Sequence, residues 1–192
     1  MLFPTVSPSA LSVAPQSFAE VYSLSLPSLV ASSDIPHMLR AIHRCLAPGG
    51  SLRLILINPA PEVNTLGPKL RTWLEKHLLL NLELKFRCMN PTKLFPNWLE
   101  ETHLRAEGST IVRPKFHAIA GDLPKVEDLE THFDITPRLY SQVGRMLWKE
   151  VWGRHVATDN WWWEDKSIVQ ECKELGTFWQ YHLITAVRQE SE

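Results

Sequence analysis

A run of apolar residues directly after a Pro-Gly-Gly turn constrains the fold of this 192-residue chain more than any other feature. Residues 51–58 read Ser-Leu-Arg-Leu-Ile-Leu-Ile-Asn, and residues 48–50 form the turn before them. A short, nearly continuous apolar run is typical of a strand that is buried on both faces of a parallel sheet. The sequence therefore predicts an α/β fold.

The segments before this run complete a strand–helix–strand unit. Residues 18–26 are aromatic and aliphatic and end at Pro27, which predicts a first strand. Over residues 34–46, apolar side chains recur at helical spacing. We therefore expect the strands 18–26 and 51–58 to lie side by side and parallel, with helix 34–46 crossing between them.

The rest of the chain alternates between helical and extended patterns. Residues 1–17 are rich in Ser and Pro and predict a flexible lead-in, and residues 121–135 are acidic and loop-like. The predicted helices span residues 68–80, 92–102, 137–152 and 164–175, and the predicted strands span residues 109–116 and 177–187.

Charge and cysteine usage exclude several functional classes. The chain has 20 Lys and Arg residues and 21 Asp and Glu residues, which give a net charge of −1. A protein that binds nucleic acid or an anionic membrane needs an excess of positive charge, so we expect neither partner. No apolar stretch is long enough to span a bilayer. The first residues lack the positive charges with which a signal peptide begins, so we expect none. The three cysteines form no CxxC pair, so we expect no metal site and free thiols in the cytoplasm.

Residues 18–58 resemble the second half of class I S-adenosylmethionine-dependent methyltransferases. The stretch Met38-Leu39-Arg40-Ala41-Ile42-His43-Arg44-Cys45-Leu46-Ala47-Pro48-Gly49-Gly50-Ser51-Leu52-Arg53-Leu54 follows the pattern hLRxhxRxLxPGGxLxh, where h is apolar. In style the chain is also similar to fungal methyltransferase-like proteins associated with small-molecule metabolism.

The resemblance implies a partial Rossmann-like sheet of parallel strands with helices. The family's last strand is inserted antiparallel between its neighbours, and residues 92–116 and 177–187 fit that order. Residues 18–192 would then form one partial domain, with residues 121–176 as a helical insertion.

The family's glycine-rich GxGxG turn, which cradles the cofactor, has no counterpart here. The eight glycines begin at Gly49, and no GxGxG occurs. Backbone amides approach a nucleotide-like cofactor closely only where such a turn removes the side chains. The resemblance implies S-adenosylmethionine as cofactor, yet we expect the isolated chain not to bind it, as in a truncated protein or a pseudoenzyme.

Two groups of residues are candidates for binding. The resemblance places Ser23, Leu24 and Ser25 beside the cofactor, and the alternative, which the sequence favours slightly, is that they are small polar residues that end a strand. The adjacent Trp161, Trp162 and Trp163 suggest an aromatic wall for a flat substrate or for a sulfonium, which cation–π attraction would hold. The alternative is a hydrophobic plug between the insertion and the sheet.

No catalytic residue stands out among the eight histidines. Many methyl transfers need a general base, and His155 and His182 are the weak candidates. No histidine pair has metal-ligand spacing.

Two functions remain open at this stage. The chain is part of a methyltransferase that acts on a small molecule, or it is a non-catalytic methyltransferase-like subunit. In both cases we expect an open sheet edge and exposed apolar side chains, which favour a homodimer or a protein partner.

Overall fold

The computed structural model describes residues 13–120 and 136–189. The helices are α1 (Leu26–Leu29), α2 (Ile35–Cys45), α3 (Pro68–Leu74), α4 (Leu80–Leu84), α5 (Pro91–Glu101), α6 (Thr136–Trp152) and α7 (Lys166–Glu174). The strands are β1 (Phe18–Ser23), β2 (Leu46–Ile57), β3 (Thr110–Val112), β4 (Lys115–His117) and β5 (Phe178–Val187).

The strand order confirms the predicted fold class. β1 and β2 pair in parallel with α2 between them in sequence, and β5 pairs antiparallel with β2. β3 pairs antiparallel with the other edge of β5, so the order is β1-β2-β5-β3. The last strand thus lies between its neighbours, as the resemblance implied.

A close backbone approach at Gly50 aligns β1 with β2. A Cβ atom there would lie 2.9 Å from the carbonyl oxygen of Ala19 and 2.8 Å from that of Ala47. The register between the two strands shifts at this point, between Phe18 and Glu20. Gly50 therefore serves the pairing of the strands, and any larger residue would push them apart.

Several predicted boundaries were wrong, each for a local reason. The first strand ends at Ser23 rather than at residue 26, because Pro27 lies in the first turn of α1. The predicted strand 109–116 is split into β3 and β4, with Pro114 between them, since proline lacks the amide proton that a ladder needs. The predicted helix 68–80 continues to Leu84 through a π-helical turn at Glu75–Leu79. Residues 1–12 of the predicted lead-in and the acidic segment 121–135 lie outside the described residues.

The chain divides into two compact units. The first, here called the sheet unit, contains the residues up to Asn58, Leu82–Pro114 and the residues from Tyr181 on. The second, here called the tryptophan unit, contains Pro59–Asn81 and Lys115–Gln180. The predicted insertion 121–176 falls within the tryptophan unit.

Helices cover one face of the sheet in the sheet unit. From β2, Leu52, Leu54 and Leu56 are buried, and they share one core with residues of α2, α5 and β5. The contributing helix residues are Ile35, Leu39, Ile42, Phe95 and Leu99. On the other face of β2, Arg53 is exposed and Ile55 only half-buried, so the prediction that both faces are buried was wrong. Only the middle of that face is open, since Ser51 and Ile57 on the same side of β2 are buried.

Aromatic side chains form the core of the tryptophan unit. Trp148, Trp152, Trp162 and Trp179 are all fully buried. Trp179 stacks on Phe116 of β4 with ring centroids 5.7 Å apart, and its other contacts include Trp162 at 5.5 Å. The Trp148 indole nitrogen donates a hydrogen bond of 2.9 Å to the carbonyl of Pro59. Buried indoles of this size dominate the packing of so small a unit.

We predict that Gly144→Ala destabilises the protein, because α6 crosses β4 at Gly144 without room for a methyl group. A Cβ atom there would lie 2.1 Å from the Phe116 ring. Alanine favours a helix over glycine by about 1 kcal/mol, but overpacking costs about 1–3 kcal/mol, so the urea midpoint of unfolding should fall. The exposed Gln142→Ala in the same helix is the control and should leave the midpoint unchanged. A midpoint raised by Gly144→Ala would contradict the packing.

Candidate functional site

The less covered face of the sheet forms a concave surface in the sheet unit. It encloses a shallow cavity of about 510 Å³ that crosses β1, β2, β5 and β3. The outward side chains along it, which we call the open face, are Tyr22, Arg53, Ile55, Val112, Leu183 and Thr185. Tyr22 is 66% exposed and Val112 is 57% exposed.

Strand pairing brings these side chains together. Tyr22 lies opposite Arg53, and Leu183 lies opposite both Ile55 and Val112. Since paired residues point to the same side of a sheet, the apolar side chains form a continuous patch across four strands.

One charged cluster borders the patch. The Arg53 guanidinium donates to the Glu20 carboxylate at 2.9 Å and lies 5.5 Å from the centre of the Tyr22 ring. The Tyr22 hydroxyl donates a short hydrogen bond to the same carboxylate. These hydrogen bonds, from Tyr22 first and Arg53 second, lower the pKa of Glu20. Two residues of the adjacent strand β1, Glu20 and Tyr22, therefore hold Arg53 in place.

The polar groups of the open face are hydroxyls, among them that of Tyr22, and one guanidinium. Among its described lining residues the only charged side chain is that of Arg53, and none is a histidine, cysteine or carboxylate. The lining of the open face is therefore mainly apolar, with a paired charge at its border.

Two of the three predicted cofactor-binding residues lie at this surface. Ser23 and Leu24 line the cavity at the end of β1. Ser25 instead precedes α1, and its carbonyl accepts hydrogen bonds from the amide and the hydroxyl of Ser28, both at 2.9 Å. The described lining around Ser23 contains no glycine turn and no carboxylate, the two groups that hold S-adenosylmethionine in the family that the sequence resembles, so the described lining lacks that grip.

The three predicted substrate-binding tryptophans occupy different environments in the tryptophan unit. Trp162 is fully buried. Trp161 and Trp163 are half-buried and stack on each other, with ring centroids 4.9 Å apart and planes 4° apart. The Lys149 ammonium lies 4.5 Å from the centre of the Trp161 ring, and the Arg145 guanidinium lies 6.0 Å from that of Trp163. Cations of α6 thus contact both half-buried rings.

The two candidate bases lie in different units. His155 is buried in the tryptophan unit, and its carbonyl accepts a hydrogen bond of 3.1 Å from the Asn81 side chain. His182 lies on the helix-covered side of β5 in the sheet unit and is 7% exposed. Burial, and secondarily the charge of Arg113, lowers the pKa of His182.

The cysteines are buried and free. Burial raises the pKa of the Cys88 thiol and raises that of Cys172 to about 11. Thiols with raised pKa values are poor nucleophiles at neutral pH. The described residues also contain no group of three His, Cys, Asp or Glu side chains placed to hold a metal ion.

Sequence reasoning missed Tyr22 and Arg53 as parts of a site. One signal was present in the sequence. Arg53 is the only charged residue of an otherwise apolar strand, and residues two positions apart point to the same face, so Arg53 indicates that the face it shares with Ile55 meets water.

No model of a protein family and no curated protein matches this chain. Solved structures that match include phosphoethanolamine N-methyltransferase 2 of Haemonchus contortus, in complex with phosphomonomethylethanolamine and S-adenosylhomocysteine. That match has a TM-score of 0.48 and 12% identity, and covers 93% of this chain and 35% of the other.

Two further matches have the same level of similarity. Geranyl diphosphate methyltransferase in complex with S-adenosylmethionine has a TM-score of 0.41 and 14% identity, with 95% of this chain and 55% of the other covered. The YcgJ protein of Bacillus subtilis has a TM-score of 0.43 and 13% identity, with 96% and 70% covered. The chain thus spans about a third of the first structure's length. The fold assignment rests on the strand order of the chain itself.

The described helices include none whose length and apolar character would let it cross a membrane.

We predict that buried His182 makes the protein less stable in mild acid. Because its pKa is lowered in the folded state, only the unfolded chain gains its proton as the pH falls below about 6.5. The free energy of unfolding therefore has its full value above that pH. It falls as the pH drops from there to the lowered pKa, by about 1.4 kcal/mol for each unit by which the pKa is lowered. His182→Leu should reduce this loss in urea unfolding at pH 8 and pH 5.

The exposed His37→Gln is the control for this measurement and should lose as much stability as the natural protein. An equal acid sensitivity of the His182→Leu protein would show that the imidazole is solvated.

Proposed function

We propose that this chain is a methyltransferase-like binding module that another α/β polypeptide completes, and that it does not transfer methyl groups by itself. The observation that carries this proposal is the open face, an apolar patch across four strands of a sheet whose other face is buried beneath α2 and α5.

Exposed apolar side chains on the sheet favour a cover on its open face. Beside the parallel pair of β1 and β2, β5 pairs antiparallel with its neighbours, and a sheet with antiparallel strands can have one face in contact with water or with a partner. Tyr22, Val112 and Leu183 are exposed on this face, and neighbouring exposed apolar side chains of this kind mark interaction sites. A polypeptide that contributes helices with one apolar side would bury them.

The size of the open face favours a partner that also contacts the edge of the sheet. Four strands are about 19 Å wide, and three outward side chains along a strand span about 15 Å, which gives a footprint of roughly 300 Å². A stable interface buries about 800 Å² of each partner. No described strand pairs with the outer edge of β1, so its free amides and carbonyls offer the additional contact. A partner that extends the sheet there and covers its face satisfies both requirements.

Charge supports the same arrangement. The edge strand β1 carries one carboxylate, that of Glu20, and Arg53 already neutralises it. A partner strand can therefore pair with β1 without burying an unpaired charge.

Methyl transfer, in this proposal, belongs to the complex and not to the chain. The resemblance to methyltransferases supports S-adenosylmethionine as the cofactor of the completed domain and a small metabolite as its substrate. The lining described at the end of β1 lacks the family's grip on the cofactor, so the partner would supply the groups that hold it.

We predict that the isolated chain does not bind S-adenosylmethionine at micromolar concentrations. Without an amide cradle, the few remaining contacts do not offset the translational and rotational freedom that binding removes, several kcal/mol at least. Isothermal titration calorimetry should show no saturable heat. A dissociation constant below about 10 μM, or about −7 kcal/mol, would refute the prediction.

We predict that the purified chain does not remain a monomer of 22.0 kDa. With the open face uncovered, it should retain an α/β partner, pair with a second copy or aggregate, and Leu183→Glu should weaken this association by placing a charge in the patch. Light scattering measures the mass of both proteins.

Leu175→Glu is the matched control for this substitution. Leu175 is a leucine of similar exposure, 47% against 36% for Leu183, but it lies at the end of α7. Its replacement should leave the association unchanged. A stable natural monomer at high micromolar concentration would overturn the proposed function.

A further inference from the structure

The end of α4 is strained at an aromatic residue. The amide of Arg87 donates to the carbonyl of Leu82 at 2.8 Å, and the amide of Phe86 donates to that of Glu83 at 2.9 Å. These two bonds form a Schellman motif, which places Phe86 in the left-handed region at φ 55°. Glycine is the usual residue there, because a side chain strains this conformation.

The packing of the protein does not explain why a phenylalanine occupies this position. Its side chain is 76% exposed. Strained backbone positions are frequent at ligand sites, and this one justifies a search for a cavity nearby.

A cavity of about 390 Å³ adjoins the strained residue within the sheet unit. Its wall comes from two segments, the turn before α2 and the turn after α4, which the amide of Ser32 joins by a hydrogen bond of 2.7 Å to the Phe86 carbonyl. Phe86 and Met89 provide the apolar part of the lining, and the hydroxyl side chains of Ser32 and Ser33 lie on the other side. The volume is within the range of small-molecule sites.

The cavity has one cation and one anion that do not pair with each other. Arg87 and Glu83 both line it, and no ion pair joins them. The Nε–H of Arg87 is buried and has no acceptor among the described residues. A guanidinium carries five N–H donors, and the part of Arg87 that lines the cavity can donate to a ligand carboxylate.

We propose that this cavity binds a small zwitterion with an aromatic or apolar body, of the amino-acid class. The ligand carboxylate accepts from Arg87, its ammonium group faces Glu83, and its apolar body lies against Phe86 and Met89. The opposite charges of the two side chains select against ligands that carry a single charge.

Fluorine NMR with 4-fluoro-L-phenylalanine tests the site, since the eight tryptophans of the chain do not interfere with that signal. We expect the probe resonance to broaden and shift, with saturation at about millimolar concentration. The N-acetyl derivative keeps only the negative charge and the amide derivative only the positive charge. Each should bind at least fivefold more weakly.

Substitutions separate binding from folding. Phe86→Gly removes the ring and relieves the backbone, so it should abolish probe binding while the midpoint of thermal unfolding stays equal or rises. Arg87→Gln and Glu83→Gln should each weaken binding at least fivefold.

The matched control is His103→Gly at the end of α5. His103 has φ 58° in a Schellman motif of the same form, with a bond of 2.8 Å from the amide of Leu104 to the carbonyl of Leu99. This substitution should leave probe binding unchanged. No broadening up to 10 mM of probe (about −3 kcal/mol), equal binding of the three probes, or unchanged binding by Phe86→Gly would each overturn the proposal.

Discussion

The parallel pairing of β1 with β2 is the constraint on which the sheet unit depends. Gly50 allows the two backbones to approach, and the paired register then fixes the side of the sheet to which each side chain of β2 points. Leu52, Leu54 and Leu56 face the helices. Because the helices α2 and α5 share this one core, both lie on the same side, and the opposite side is left as the open face.

Buried and exposed groups are separated in this chain. Its candidate bases and its thiols lie in the interior, where burial lowers the pKa of His182 and raises that of Cys172. The open face, in contrast, is apolar and has a neutralised pair at its border. The hydroxyl of Tyr22 at this surface donates to the Glu20 carboxylate, and the described lining includes no histidine, cysteine or carboxylate.

In the tryptophan unit, helix periodicity and aromatic packing act together. Arg145 and Lys149 are one turn apart on α6, so each cation lies over one of two stacked indole rings. Trp162, between those two in sequence, points inward to Trp179. The half-buried rings and the cations of α6 therefore connect two segments of this unit.

The sequence by itself determined the order of the elements, the parallel pair and the antiparallel last strand, because these follow from local periodicity, from the Pro-Gly-Gly turn and from family resemblance. It did not determine where β1 ends or where the strand 109–116 breaks, since single prolines decide those points within the packed chain. Only the tertiary structure decided which face of β2 is buried. An apolar run predicts burial, but whether both faces are covered depends on where distant helices pack. The strain at Phe86 was likewise not readable from the sequence, because a backbone angle is set by the hydrogen bonds that close the end of α4.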